Sequence, residues 1–335
     1  MDDKHFFDFL SKRAPLNHNI QKYMMVTRSK LREYRRIAVS YSAGSDSDII
    51  LDMIELVKSY EDSGEIRYIF FDTGLEFEAT LSHITETEQK YGVVIQRIKP
   101  KKSIPTACRE YGIPFICKDV SEMLNRLQNH GFDWLDTAEN ATTEKYGRCK
   151  SALDWYYNRR TPSKSGKNAM FSIARFKLLR EFILVYPPSF QISDKCCDYA
   201  KKNVSKGFDR KYVPDLKING MRQAEGGRRT GSIHSCFTPT GVDNIANYRP
   251  LWYWSDEDKR IYKEWRNIRY SDCYEVWGYT RTGCVGCPCN SKALQELQIA
   301  KKYEPSKVKG AFAIFGKSYE YREAYNAFKK TGGKL

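Results

Sequence analysis

Six small or acidic residues, Ser42-Ala43-Gly44-Ser45-Asp46-Ser47, follow an apolar run and precede a stretch with the spacing of an amphipathic helix. Small side chains let a ligand approach the backbone, and the unpaired N–H groups of a helix N-terminus favour an anion. The serine hydroxyls add further donors. The segment therefore predicts a phosphate-binding loop, while a plain helix cap formed by Ser47 or Asp46 is the second explanation.

The ten cysteines form a second chemical signal. Cys196 and Cys197 are adjacent, and Cys284 and Cys287 form a C-x-x-C that continues into Pro288-Cys289. Without an export signal, a metal site or reactive thiols are expected rather than a disulfide framework. Four thiolates suit Zn²⁺ or an iron–sulfur cluster, and spacing alone does not choose between them, although adjacent side chains tend to diverge around one tetrahedral ion.

Two further polar segments follow apolar runs. Asp72-Thr73-Gly74-Leu75-Glu76-Phe77 follows residues 66–71, and Arg222, Arg228 and Arg229 follow residues 216–221. Asp72 or Glu76 suits a Mg²⁺ ion or the orientation of a nucleophile, with a polar helix cap as the alternative. The arginine guanidinium groups suit phosphate or sulfate oxygens.

These segments require a scaffold that brings them together. Apolar runs at 37–41, 66–71 and 93–98 predict strands, and the patterns at 49–56 and 78–91 predict helices between them. Such alternation is typical of an α/β fold with a parallel sheet flanked by helices. Since ligands lie beyond the carboxyl ends of the strands in these sheets, the loops at 42–47 and 72–76 should converge. A single buried helix is expected at 171–186.

The chain has 335 residues and a net charge of +15, which favours a polyanionic partner such as nucleic acid. Cations and aromatics alternate over residues 142–160, which suits phosphate contact with base stacking or, equally, side chains that cover a core. No apolar run approaches the length of a membrane span, and the N-terminus lacks the apolar core of a signal peptide. A cytoplasmic protein without membrane contact is expected.

Several of these motifs resemble a known family. The loop resembles the S-G-G-x-D-S of PP-loop ATP pyrophosphatases, with Ala43 in place of the first glycine, and D-T-G-x-E-F resembles the phosphoadenosine phosphosulfate (PAPS) reductase branch. The C-C and C-x-x-C pairs resemble the [4Fe–4S] pattern of adenylylsulfate reductases. The resemblance implies a PP-loop α/β fold with a helical, cysteine-rich C-terminal part. Its expected segments are 1–34 (helical), 35–162 (nucleotide-binding), 163–290 (remainder with the cluster cysteines) and 291–335 (basic helical tail).

The resemblance also implies residue roles. ATP would lie on Ser42, Ala43, Gly44, Ser45, Ser47, Thr73, Gly74 and Arg228. Catalysis would use Asp46, Asp72 and Arg222, with Mg²⁺ near Asp46 or Asp72. The [4Fe–4S] cluster, or Zn²⁺ as the alternative, would be held by Cys196, Cys197, Cys284 and Cys287, with Cys236 able to replace one of the adjacent pair.

The expected function is adenylation of a substrate with release of pyrophosphate, for sulfur transfer to nucleic acid as in DNA phosphorothioation or tRNA thiolation. A cysteine desulfurase is a candidate sulfur donor, and a homodimer is left open. Sulfonucleotide reduction is a second hypothesis; it would need a thiol such as Cys289, because no later cysteine matches the tail cysteine of those reductases. A nucleotide-sensing binding protein is the third hypothesis.

Overall fold

A computed structural model describes residues 3–159, 172–226, 233–239 and 244–333. It contains two compact units. Arg228 and Arg229 lie outside the described residues. Within the described part of the chain, no helix combines the length and the apolarity that a bilayer crossing requires.

The first unit comprises Met1–Asp72, Glu76–Lys99 and Val204–Gly283. Its helices are α1 (Asp3–Arg13), α2 (His18–Glu33), α3 (Ser45–Lys58), α4 (Glu78–Tyr91), α11 (Asn203–Tyr212), α12 (Asp256–Arg266) and α13 (Asp272–Glu275). Its strands are β1 (Arg36–Ser40), β2 (Glu65–Phe71), β3 (Ile95–Ile98), β4 (Leu216–Ile218), β5 (Phe237–Thr238) and β6 (Ala246–Tyr248). The three predicted strands and the helix at 78–91 are present.

The six strands form one sheet in the order β3-β2-β1-β4-β6-β5. All neighbours are parallel except β5, which runs antiparallel to β6. Ile37 of β1 lies between Ile66 of β2 and Leu216 of β4, and a strand covered on both faces needs such an apolar run. The predicted α/β fold with a parallel sheet is confirmed. Because the chain order reverses at β1, the crevice beyond its carboxyl end is the expected ligand site.

Helix α3 anchors the loop that precedes it. Ile49, Ile50, Leu51, Met53 and Ile54 are each 0% exposed. Complete burial of such a side chain contributes about 2 kcal/mol. The helix is therefore held in the core along almost its whole length, and its N-terminus is fixed with it.

Asp52 gives α3 a buried polar anchor, and its replacement tests the core of this unit. Its carboxylate is 1% exposed and accepts hydrogen bonds from Tyr91 Oη at 2.9 Å, Tyr262 Oη at 2.8 Å and Arg266 Nε at 2.8 Å. Asp52→Ala strands all three donors, so we expect a loss of about 3 kcal/mol in unfolding free energy by urea titration. Glu264→Ala, which removes an exposed ion pair with Arg260 within α12, should leave the unfolding free energy close to that of the wild type. Equal losses in the two variants would contradict this role.

The second unit comprises Thr73–Leu75, Pro100–Asn203 and Cys284–Leu335. Its helices are α5 (Ile104–Tyr111), α6 (Lys118–Asn129), α7 (Thr143–Tyr146), α8 (Lys150–Tyr156), α9 (Leu179–Val185), α10 (Lys195–Cys197), α14 (Ala293–Tyr303) and α15 (Pro305–Lys330). A π-helical turn, Asp198–Lys202, follows α10. The cysteine-rich C-terminal part is helical, as predicted. The single helix expected at 171–186 is wrong, because Leu178 adopts the left-handed conformation (φ 58°) between a 3₁₀ turn and α9.

The aromatic residues of the 142–160 run are core residues. Tyr146, Trp155 and Tyr156 are at most 4% exposed, and the rings of Tyr146 and Tyr156 pack against Phe132. Lys145 is paired with Asp136 at 3.0 Å. Of the two explanations for this run, covering a core is the one observed, since buried rings offer no surface for base stacking.

Candidate functional site

The loop at 42–47 is organised by one serine hydroxyl. Ser47 Oγ accepts hydrogen bonds from the backbone N–H groups of Ser42 at 3.2 Å and Gly44 at 3.0 Å, and donates to the carbonyl of Gly44 at 2.8 Å. Helix α3 begins at Ser45, so Asp46 and Ser47 lie inside the helix and neither is its cap. The loop therefore has an internal structure that a simple cap would not need.

Two residues of this loop have unusual backbone requirements. Ala43 adopts the left-handed conformation (φ 52°) that favours glycine, at a cost of about 1 kcal/mol. Its methyl group is completely buried. A Cβ at Gly44 would lie 3.2 Å from both Ser42 Oγ and Tyr274 Oη, so a larger residue here would require these side chains to shift. Ala43, which stands where the family pattern has a glycine, thus adopts the backbone conformation that glycine favours.

Three charged side chains meet at the N-terminus of α3. Asp46 Oδ1 is 3.0 Å from Arg222 Nε and 2.7 Å from Lys259 Nζ. Lys259 also donates to Ser45 Oγ at 2.9 Å. Arg222 is 8% exposed and reaches Asp256 at 2.9 Å through Nη2. The structure thus brings predicted Asp46 and Arg222 together beside the loop and places two cations where a bound anion would lie.

Lys259 is a site residue that sequence analysis missed. It lies in α12, whose start is marked by the cap Ser255 with Asp258 at the capping-box position. That signal describes the helix, and nothing in the local sequence connects Lys259 to a loop more than two hundred residues earlier. Asp46, in turn, was expected near Mg²⁺, whereas the recorded partners of its Oδ1 are Arg222 and Lys259.

The D-T-G segment is divided between the units. Asp72 directly follows β2, is half-buried, and donates its backbone N–H to the carbonyl of Ile98 at 3.0 Å in the first unit. Thr73 and Gly74 belong to the second unit, where Thr73 Oγ1 lies 3.7 Å from Cys284 Sγ. The position of Asp72 at a carboxyl strand end is the one expected from sequence.

A group of thiols lies in the second unit, and we call it the cysteine cluster: Cys108, Cys117, Cys196, Cys197, Cys287 and Cys289. The thiol of Cys196 is hydrogen-bonded to those of Cys108 and Cys197. Cys287 is hydrogen-bonded to Cys289, which also interacts with Cys197 and Cys117. Three of the four predicted ligands are thus brought together.

The pKa values of several cysteines in the cluster are shifted in opposite directions. A hydrogen bond from Cys289, supported by Lys118 and Lys201, lowers the pKa of Cys287 to about 6 against the opposing effect of burial. The same hydrogen bond and burial raise the pKa of Cys289. A hydrogen bond to Cys196 and burial raise the pKa of Cys197. Since the thiolate is the form that binds metal, Cys287 is the member of the cluster best prepared for it.

The other predicted cysteines have different surroundings. The recorded side-chain partner of Cys284 is Thr73 Oγ1, although its carbonyl accepts from the N–H of Cys287 at 3.1 Å. Cys236 belongs to the first unit and is hydrogen-bonded to Tyr23. Cys289, which was not among the predicted metal ligands and was considered only as a thiol for sulfonucleotide reduction, was signalled by the C-P-C that ends the motif.

The thiols of the cysteine cluster are the kind of ligand that the groups implied by the motif require. Thiolate sulfur is the donor that structural zinc sites and iron–sulfur clusters share. Within the described ranges, no three His, Cys, Asp or Glu side chains are arranged to hold a metal ion. The chemistry of the cysteine cluster therefore fits a thiolate-ligated group, but its spacing is not that of a ready-made single-ion site.

Comparison with known families gives one match within the chain. Residues 36–130 match the model of the phosphoadenosine phosphosulfate reductase domain. This stretch begins at β1 and includes the loop at 42–47, Asp72 and helices α3 to α6. An uncharacterized protein of Methanocaldococcus jannaschii is 35% identical over 79 residues, which cover 23% of this chain and 15% of that protein. The chain thus matches only a small part of that relative's length.

Solved structures with similar folds have low sequence identity. A PAPS reductase of Candida auris is 13% identical, with a TM-score of 0.44, over 85% of this chain and 96% of that one. An FMN adenylyltransferase of Candida glabrata is 12% identical, with a TM-score of 0.44, over 84% and 67%. A U34-tRNA thiolase of Methanococcus maripaludis, solved with its [4Fe-4S] cluster, is 11% identical, with a TM-score of 0.38, over 92% and 79%.

Proposed function

We propose that the chain, whose residues 36–130 match the model of the phosphoadenosine phosphosulfate reductase domain, is a PP-loop ATP pyrophosphatase that adenylates a substrate for sulfur transfer. The observation that carries this proposal is the meeting of Arg222 and Lys259 on Asp46 at the first turn of α3. Two cations and a helix N-terminus beyond the carboxyl end of β1 suit a polyphosphate.

In the proposed reaction a substrate oxygen attacks the α-phosphorus of ATP. A new bond forms between this oxygen and the α-phosphorus, while the bond from the α-phosphorus to the oxygen that bridges the α- and β-phosphates breaks. Pyrophosphate leaves and carries the negative charge that develops on the bridging oxygen. Stabilising that charge is the main catalytic demand. This stabilisation would come from the first-turn N–H groups of α3 and from Arg222 and Lys259. The two cations would become available once the phosphates displace Asp46 as their partner.

Asp46 or Asp72 would hold Mg²⁺: Asp46 Oδ1 is shared by two side-chain cations until the phosphates displace it, and Asp72 lies just beyond the carboxyl end of β2. A bound Mg²⁺ would neutralise phosphate charge. In the second unit, Cys196, Cys197, Cys287 and Cys289 would hold a [4Fe–4S] cluster, which could supply a sulfur-binding or structural centre. Zn²⁺ is the alternative for the same thiolates.

Nucleic acid is the proposed acceptor. The net charge is +15, and the last two helices of the second unit carry exposed lysines at Lys301, Lys302, Lys309, Lys317 and Lys330. Solvent-exposed cations on a helical surface suit phosphate backbones. The aromatic residues of the 142–160 run do not contribute to this proposal, because Tyr146, Trp155 and Tyr156 are buried.

Binding of Mg·ATP to the purified protein, measured by calorimetry, tests the nucleotide site. Ser47→Ala removes the hydroxyl that holds the N–H groups of Ser42 and Gly44, and we expect about tenfold weaker binding. Ser59→Ala is the matched control, because this exposed serine at the other end of α3 bonds only to the carbonyl of Leu56 among its recorded contacts. Equal affinity of wild type and Ser47→Ala, or no binding by wild type, would contradict the proposed site.

A further inference from the structure

Two side chains that flank the loop are bonded directly to each other. Tyr41 follows β1, and Asp48 lies in the first turn of α3, one residue after Ser47. Tyr41 Oη donates to Asp48 Oδ1 at 2.6 Å. Both residues are at most 5% exposed. Because the loop at 42–47 leaves from one of these residues and returns to the other, this hydrogen bond joins the two ends of the loop at its base.

Helix α4 completes the arrangement from a third direction. His83 Nε2 lies 3.0 Å from Asp48 Oδ2, and Thr87 Oγ1 lies 3.0 Å from Tyr41 Oη. Each oxygen of the Asp48 carboxylate thus has its own hydrogen-bond partner. The carboxylate fixes the hydrogen on Nε2 of His83, since an ionised carboxylate only accepts. A buried carboxylate needs this compensation, because an unpaired charge in the interior is strongly destabilising.

The surroundings of His83 favour its charged form. Burial lowers the pKa of His83, but the hydrogen bond and negative charge of Asp48, together with Glu86, outweigh it, so the pKa lies above the usual 6.5. Glu86 Oε2 is 3.8 Å from Nδ1 and is itself paired with Arg269 at 3.0 Å. A cavity of about 210 Å³ borders the ring. The charged groups that act on His83 are Asp48 from α3, Glu86 from α4 and Arg269 from the segment after α12. Lys90 and Tyr91 of α4 border the same cavity, and Tyr41 reaches the same carboxylate of Asp48.

The backbone of the loop is coupled to these side chains. Asp48 donates its N–H to the carbonyl of Gly44 at 3.0 Å, and the neighbouring Ser47 holds the N–H groups of Ser42 and Gly44. A shift of Asp48 would therefore move the first turn of α3 and with it the donors of the loop. The anchoring contacts come from three separate elements, so they fix the position of the turn and not only its helical conformation.

We propose that Tyr41, Asp48 and His83 form a clasp that sets the conformation of the 42–47 loop and thereby its affinity for a polyphosphate. The three residues act through the loop, so they are positioning residues and not catalytic ones. The inference rests on the proposed function for its nucleotide readout, but the conformation of the loop can be measured without any nucleotide.

Tyr41→Phe tests the clasp with the loss of a single oxygen. We expect hydrogen-exchange protection of the amides at 42–47 to fall by about tenfold in the nucleotide-free protein, and the affinity for Mg·ATP to fall by about tenfold, since the lost bond has a charged acceptor. Tyr91→Phe is the matched control: Tyr91 Oη also donates to a buried aspartate of α3, Asp52, at 2.9 Å, farther along the helix from the loop. This control should lower global stability without changing protection of the loop.

His83→Gln adds a test by pH, because the glutamine amide can still donate to Asp48 but carries no charge. His83 has a raised pKa in the folded state, so its stabilisation is fully present below about 6.5 and is lost as the pH rises through the folded-state value. Loop protection factors of the wild type should therefore fall across that range, while those of His83→Gln should stay level.

The proposed role of the clasp is contradicted if Tyr41→Phe leaves the hydrogen-exchange protection of residues 42–47 unchanged, or if Tyr91→Phe reduces that protection equally. If the wild type and His83→Gln show the same dependence of loop protection on pH, the proposed role of the His83 charge is contradicted. Failure of the wild type to bind ATP would instead contradict the proposed function, and the exchange measurement would still decide on the clasp.

Discussion

Replacing Lys259 with methionine is expected to lower the rate of ATP cleavage to AMP and pyrophosphate by about 10²–10³-fold, with the fold retained. The side chain of Lys259 is only 13% exposed, and its Nζ lies 2.7 Å from Asp46 and 2.9 Å from Ser45 Oγ at the N-terminus of α3. Methionine keeps most of the apolar stem that packs there and removes the charge. Single-turnover assays with α-labelled ATP would measure the effect on the chemical step.

Lys263→Met is the control for this variant. Lys263 lies one turn farther along α12 and is paired with Glu275 at 2.7 Å, so its removal deletes a lysine from the same helix without touching the contacts of Asp46. We expect it to retain wild-type activity within about threefold. A Lys259→Met protein as active as Lys263→Met would show that the ammonium group does not act on the phosphates.

The second large effect is expected at the cysteine cluster. Cys287→Ala should lose nearly all of the iron and acid-labile sulfide that anaerobically purified wild type carries, because Cys287 is the thiol with the lowered pKa and contacts Cys289. Cys197→Ala should have the same result. Cys149→Ala is the control: this thiol is buried in the apolar core of the second unit and burial raises its pKa. Zinc in place of iron in the wild type would decide for the alternative metal.

The same analysis decides between Cys284 and Cys289 as the fourth ligand. The hydrogen bond of Cys289 with Cys287 and its electrostatic interactions with Cys197 and Cys117 favour Cys289, whereas the family pattern favours Cys284. Metal lost in Cys289→Ala and kept in Cys284→Ala would support the assignment from structure. The reverse result would restore the assignment from the motif, and a full metal content in Cys287→Ala would contradict the cluster itself.

The sheet and its loops were predictable because their signals are local. An apolar run at residues 37–41 can be satisfied only in a strand covered on both faces, and the polar residues that follow must then lie beyond its carboxyl end. Helix α4 occupies the predicted residues because its buried positions, Thr80, His83, Ile84 and Thr87, recur at helical spacing and Gly92, in the left-handed conformation, ends it. Such signals do not depend on distant parts of the chain.

The 142–160 run shows where composition fails. Alternating cations and aromatics have the same sequence whether the rings stack on bases or fill a core, and only the tertiary structure separates the two. Phe132, more than ten residues earlier, is the ring around which Tyr146 and Tyr156 pack. Likewise, Leu178, directly before α9, has a positive φ that leucine rarely adopts. The residue type therefore did not predict the break in the helix.

The candidate site was predictable in part for a related reason. Asp46 and Arg222 stand in motifs and were found, but Lys259 and the Tyr41–Asp48–His83 clasp are defined by contacts between separate elements. Asp48 even adjoins the motif, yet its role depends on a histidine in α4 that no spacing rule connects to it. The loop could be identified from neighbouring residues in the sequence, whereas the side chains that contact it could be identified only from the packing of separate elements.

The central claim, that this chain adenylates a substrate at the 42–47 loop, is tested most directly by the products made from α-labelled ATP. Anaerobically purified protein would be incubated with Mg²⁺ and ATP, alone or with DNA or tRNA, and AMP would be resolved from ADP. We predict AMP and pyrophosphate that depend on nucleic acid and are lost in Lys259→Met. ATP that stays intact in every mixture, or is converted only to ADP, would contradict the claim and favour a nucleotide-sensing protein or a different reaction.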